Sequence, residues 1–162
     1  METAVTPALL RIALGRYATG VTIVTCRDAA GAPVGLTCNS FNALSLEPPL
    51  VLWSLRRSSV NEAAFRAATH FAVNVLTESQ VGLSRRFAGK GADKFAEGVW
   101  GRGLGDAPVL TGCTAVLECE TVSHQLAGDH WLFIGRVRAL SEAALPPLVF
   151  QAGHYRMIGE VL

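Results

Sequence analysis

Hydrophobic and polar positions change period several times along this chain, and each change marks an element. Leu9, Leu10, Ala13, Leu14 and Tyr17 recur at helical spacing. Thr6-Pro7 ahead of them is a helix start, and Gly20 closes the segment. Over residues 21–26 the β-branched density of VTIVTC predicts a strand. DAAGAP (28–33) reads as a turn, and residues 34–41 return as the partner strand of a hairpin. Pro48-Pro49 interrupts the pattern before 50–55, a nearly unbroken apolar run that predicts a strand buried on both faces.

After Ser58-Ser59, VNEAAFRAAT predicts a second helix with Asn61 and Glu62 in its first turn. HFAVNVL (70–76) is a further strand. Thr77 with Gln80 three residues on is a capping-box pattern, opening a helix that carries Val81, Leu83 and Phe87. Residues 88–112 are glycine-rich and irregular, longer than a connection requires. Alternating strands over 113–123 and 131–139 flank HQLAGDH, and the tail adds a short strand or two. Six or seven strands with three helices among them predict a mainly β fold with α, an antiparallel barrel with helices packed outside. The expectation is one domain over residues 1–162.

Half of the residues are hydrophobic and only 17% are charged, a balance that favours a subunit burying a face against another chain. A formal net charge of +1, with basic residues scattered, argues against nucleic-acid binding. Cys26, Cys38, Cys113 and Cys119 form no C-x-x-C pair and the histidines no H-x-x-x-H, so no metal site is expected. The N-terminal segment has no basic leader or long apolar region, and no apolar run approaches the ~18 residues of a membrane span. A cytoplasmic protein with reduced thiols and no membrane association is the expectation.

The chain has no G-x-S-x-G, Walker loop or dinucleotide fingerprint. GRGLGD (101–106) reads as an exposed turn. TCNSF (37–41) gathers main-chain groups, hydroxyls and an amide where large side chains are missing; it is either a tight bend or a wall for a planar ligand. Cys38 within it has no basic neighbour to lower its pKa and reads as a small buried filler. SLRRSSVNEAAF (54–65) combines arginines and serines at a helix start, either an ordinary cap or a phosphate site. GKGADKF (89–95) sets a lysine beside an aromatic residue, and GDH (128–130) sets His130 at a hairpin tip with Asp129 able to cap the turn.

RYATGVTIVT, GLTCNSFNALSLEPPLVLWSL, HFAVNVL, RRFAGKGADKF, APVLTGCTAVLECE, AGDHWLFIGRV and PLVFQAGHYRMIG, in this order, resemble the flavin reductase family over almost the whole chain. The resemblance implies an antiparallel Greek-key split β-barrel, the FMN-binding split barrel. It also implies NAD(P)H:flavin oxidoreductase activity like that of the small reductase components of two-component flavin-dependent monooxygenases. Such proteins reduce FMN or FAD with NADH or NADPH and pass the reduced flavin to a separate monooxygenase. Thr37, Cys38, Asn39 and Ser40 would line the flavin, with Ser54 and Leu55 continuing the wall. Ser58 and Ser59 would bind the phosphate, Lys94 would reach in from its loop, and Phe87 and Phe95 would flank the ring. His130 would contact the nicotinamide nucleotide, with Tyr155 and Arg156 nearby. Cys38 stands where the family commonly has alanine. A homodimer is implied, with the flavin near the subunit interface. The alternative is a non-enzymatic split-barrel protein that carries flavin or another planar cofactor.

Overall fold

A computed structural model describes residues 4–91 and 93–162. In chain order its elements are α1 (Pro7–Leu14), β1 (Thr19–Gly20), β2 (Thr22–Arg27), β3 (Pro33–Cys38), β4 (Asn42–Leu46), β5 (Pro49–Arg56), α2 (Glu62–Ala67), β6 (His70–Val75) and α3 (Val81–Ala88). Then follow β7 (Trp100–Arg102), β8 (Pro108–Leu110), β9 (Ala115–Ala127), β10 (His130–Glu142), β11 (Val149–Gln151) and β12 (His154–Arg156). The fold is mainly β with few helices, as expected.

Seven antiparallel strands form the main sheet in the order β3-β2-β6-β9-β10-β5-β4, so β3 and β4 are its edges. The β2–β3 turn forms because the Asp28 carboxylate accepts the N–H groups of Ala30 (2.9 Å) and Ala32 (2.8 Å). β2 is buried on both faces because it lies between two hydrophobic clusters: Val24 and Cys26 join one, Val21 just before it and Ile23 the other. The first cluster centres on Trp53, stacked on Phe133 at 4.6 Å with Phe65 of α2 edge-on at 4.9 Å. The second lies under α3 and holds Phe87, Leu110 and Leu148. Fully buried Asn74 ties that region to the sheet, donating to the Ile23 carbonyl at 2.9 Å and accepting the Leu110 N–H at 2.7 Å.

Several sequence expectations are corrected here. Thr6 does cap α1, accepting the Leu9 N–H at 3.3 Å, but the helix ends at Gly15 rather than Gly20, so Tyr17 lies beyond it. α1 buries no residue. The apolar run at 50–55 is fully buried on one face only, through Val51, Trp53 and Leu55. β4 is a separate strand that the apolar pattern did not reveal, because its residues are mostly exposed. The irregular 88–112 segment contains the β7–β8 ribbon. Strands β9 and β10 run through most of HQLAGDH, leaving only Gly128 and Asp129 at the tip. The capping box at Thr77 and Gln80 forms as expected, opening the 3-10 turn that leads into α3.

Gly35 shows how tightly the β3–α3 contact is packed. A Cβ there would stand 2.9 Å from Phe87 Cε1 and 3.2 Å from Phe95 Cζ. Gly35→Ala is expected to cost about 1–3 kcal/mol by overpacking, read as a lowered Tm; an unchanged Tm would mean the two rings yield freely.

Candidate active site

A cleft of about 1120 Å³ runs along the outer edge of β3. An edge strand leaves backbone N–H and C=O groups without ladder partners, so this wall offers main-chain donors and acceptors. The small polar side chains beside it are engaged internally. Thr37 Oγ1 donates to the Ser84 carbonyl of α3 at 2.6 Å. Ser40 Oγ accepts the Ser54 N–H at 2.9 Å and donates to the Ser54 carbonyl at 3.0 Å. The Cys38 thiol lies 2.9 Å from the same oxygen, where its S–H donates to the remaining lone pair. Burial pushes the Cys38 thiol up, which keeps it protonated and unreactive. Cys38 is therefore the buried filler that the sequence suggested.

The Ser40–Ser54 contact has a simple origin. β4 pairs with β5 as far as Asn42 opposite Leu52, and that register continued would set Ser40 opposite Ser54. The chain leaves the ladder at this point, and a side-chain hydroxyl replaces the missing backbone partner. Both polar groups of Ser54 face away from β10, so without Ser40 they would lack a bond.

The facing wall comes from Ser54, Leu55 and Arg56 at the end of β5 and from the turn through Ser58, Ser59 and Asn61. The serines do not cap α2. The cap position is Asn61, and Ser59 Oγ instead accepts the Asn61 N–H at 3.2 Å. α2 has only six residues, so the expected helix-start phosphate site is in fact a turn. His130 opens β10 opposite Arg56, and its Nδ1 lies 2.7 Å from Asp129 Oδ1, leaving Nε2 for a ligand. Asp129 thus holds the imidazole; its carboxyl is kept below the ordinary carboxylate range by that hydrogen bond first and the His130 charge second. Its carbonyl accepts the Arg57 N–H at 2.9 Å, fixing the hairpin tip to the end of β5.

The third wall is the end of α3 and the segment after it. Lys94 Nζ donates to the Phe87 carbonyl at 3.0 Å, and partial burial lowers the lysine pKa. Phe95 meets Phe87 edge-on at 5.0 Å. Phe87 itself is 1% exposed, so it supports the wall from behind rather than flanking a ligand. Arg56, Lys90, Lys94 and His130 line the cleft against one carboxylate, Asp93, which makes it suited to anionic ligands.

The structure therefore brings together Thr37, Cys38, Asn39, Ser40, Ser54, Leu55, Ser58, Ser59, Phe87, Lys94, Phe95 and His130 around one cleft. Tyr155 and Arg156 are not among its lining. They lie on β12 in the separate β1-β11-β12 sheet, and the Tyr155 hydroxyl bonds Ser84 Oγ at 2.8 Å on α3. Arg56, one of the arginines of SLRRSSVNEAAF, lines the cleft as the last residue of β5, and Lys90 is a cleft residue that the sequence reading did not single out.

A mainly β fold with a basic-rimmed cleft along a sheet edge defines a β protein built to take an anionic ligand. The chain belongs to the flavin reductase like domain family, whose model matches residues 14–159. It is 44% identical over 149 residues to a Rhizobium meliloti (strain 1021) protein named "Probable flavin reductase", covering 92% of this chain and 48% of that one. It is 44% identical over 153 residues to the reductase subunit of a flavin-dependent monooxygenase from Rhodococcus jostii (strain RHA1), covering 94% and 78%. Among solved structures, an NADH:FAD oxidoreductase of Streptomyces globisporus C-1027 in complex with NAD and FAD fragments superposes with a TM-score of 0.90 at 34% identity over 98% of both chains. The chain spans about half the length of the first of these relatives.

Ser40→Ala should destabilise the protein by about 1–3 kcal/mol, because it strands two partly buried backbone groups. Denaturant unfolding measures this, and a cost below about 0.5 kcal/mol would show that water replaces the hydroxyl.

Proposed function

We propose that this chain is an NAD(P)H:flavin oxidoreductase that reduces FMN or FAD with NADH or NADPH and supplies the reduced flavin to a separate flavin-dependent monooxygenase. The observation that carries this reading is the convergence of the β3 edge, the basic turn after β5 and His130 on one cleft. Its volume, about 1120 Å³, exceeds the roughly 300–1,000 Å³ of a site for one small molecule, which leaves room for two stacked rings. When bound, a flavin supplies the electron-accepting ring and the nicotinamide the hydride. The protein contributes main-chain groups of residues 35–40 to the flavin ring edge, and Arg56, Ser58, Ser59 and Lys94 to phosphate. His130, held by Asp129, meets the nicotinamide nucleotide. Holding two rings at reacting distance needs no strong acid or base.

We further propose a single domain in which the sheet curls into a Greek-key split β-barrel. α2 supports this: Phe65 reaches Trp53 of β5 and Phe133 of β10, while α2 also contacts β2 four strands away. A flat sheet would place such strands about 19 Å apart. A homodimer completes the reading. An eight-residue helix such as α1 gains little stability alone, yet it leaves Leu9, Leu10, Ile12 and Leu14 exposed, so a second copy is the expected cover. Four buried, unpaired thiols fit the reducing cytoplasm.

Anaerobic mixing with NADH and either flavin should bleach the 340 nm and flavin bands together; flavin binding without NADH oxidation would favour the non-enzymatic carrier. His130→Ala should raise the KM for the nicotinamide nucleotide about tenfold or more while flavin affinity holds, and unchanged kinetics in NADH and NADPH would remove His130 from the site. Light scattering should give twice the chain mass, and a fully active monomer would refute the dimer.

A further inference from the structure

The segment 93–97 forms one wall of the cleft but belongs to no sheet; it carries a single 3-10 turn over Lys94–Ala96. Phe95 anchors its middle by packing on Phe87 and Trp100, and Trp100 Nε1 donates to the Glu97 carbonyl at 2.8 Å; the residues on either side of Phe95 are tied to α3 by the guanidinium of Arg86. Nε donates to the Lys94 carbonyl at 3.2 Å, Nη2 to the Asp93 carbonyl at 2.6 Å and Nη1 to Glu97 Oε1 at 2.9 Å. Each of the three nitrogens has its own acceptor, an arrangement that only a planar fork can satisfy. Lys94 returns the contact through its bond to the Phe87 carbonyl, one residue along α3. Arg86 is not part of the cleft lining, and Asp93 and Glu97 are exposed, so these bonds add little to the core below. That core is secured independently, by Phe87 against Trp100 and by Asn74 against Leu110.

We propose that Arg86 is a positioning residue for ligand binding: it straps segment 93–97 to α3 so that Lys94 and Phe95 form the third wall of the cleft. The proposal rests on the reading of the cleft as a flavin site. Without these bonds Phe95 would still pack on Phe87 and Trp100, but the main chain around Lys94 would have to be ordered on each binding event, and that entropy would be taken from flavin affinity. The step after binding would be untouched, because none of the strapped groups moves a proton or hydride.

The test compares Arg86→Ala and Arg86→Lys with the unaltered protein by FMN and FAD titration, by steady-state kinetics in flavin and in NADH, and by amide hydrogen exchange. Arg86→Ala is expected to raise the Kd and KM for flavin roughly tenfold, the worth of about one charge-assisted hydrogen bond. The kcat at saturating flavin and the KM for NADH should stay within about twofold. Exchange should quicken at amides of 94–97 and stay slow in β2 and β6, which shows that the variant is folded. Arg86→Lys should recover only part of the affinity, since one ammonium cannot serve three acceptors in a fixed plane. A purely structural role would instead lower Tm and kcat per mole of protein and leave the flavin KM in place. An unchanged flavin KM in Arg86→Ala overturns the proposal, whether or not exchange quickens. If the unaltered protein binds neither FMN nor FAD, the flavin reading falls first and takes this proposal with it.

Discussion

One hydroxyl group decides where this sheet opens. Ser40 gives Ser54 both a donor and an acceptor at the position where β4 stops pairing with β5. Had the backbone continued in register, Ser40 would have paired with Ser54 through its main chain. A side chain takes that role instead, and at the other end of the sheet order the outer edge of β3 is unpaired. The small residues around it follow from the same constraint: the Cys38 thiol must fit within 2.9 Å of Ser40 Oγ, and Thr37 must reach the Ser84 carbonyl. The hydroxyls of TCNSF are thus engaged within the wall itself.

The other two walls depend on this opening for their use. The hairpin tip at Asp129 is pinned to the end of β5 by the Arg57 N–H, which sets His130 at the cleft beside Arg56. α3 lies across β3 with no room for a side chain at Gly35, so Phe87 and Phe95 stand directly behind the same edge. Basic groups gather at the rim of an otherwise nearly neutral chain. Local concentration of charge, rather than net charge, suits the cleft to phosphate-bearing ligands.

Much of this was legible in the sequence wherever burial and local chemistry agree. The β2–β3 hairpin announced itself through VTIVTC and the aspartate turn, and the Thr77–Gln80 capping box through its spacing. Hidden elements were those whose reason lies elsewhere in space. β4 is mostly exposed, its Leu44 and Leu46 included, and α1 looks amphipathic yet buries no residue against the described part of this chain. Individual fragments of the site were ambiguous alone, and their common order identified the family. Tyr155 lies on β12, behind the cleft rather than in its lining, where its hydroxyl bonds Ser84, the residue whose carbonyl holds Thr37. Ser58 and Ser59 line the cleft from a turn rather than from a helix cap. Arg86 was invisible as a site residue, because its role depends on three acceptors brought together only by the fold behind α3.

The most direct measurement is an experimental structure of the protein with FMN or FAD bound. The account predicts the isoalloxazine ring in the cleft along β3, its polar edge within hydrogen-bond distance of main-chain atoms of residues 35–40, with the Ser40–Ser54 bonds intact. A flavin seated elsewhere, for instance in the groove lined by His70 and His124, or a β3 edge left untouched by the bound ring, would contradict it.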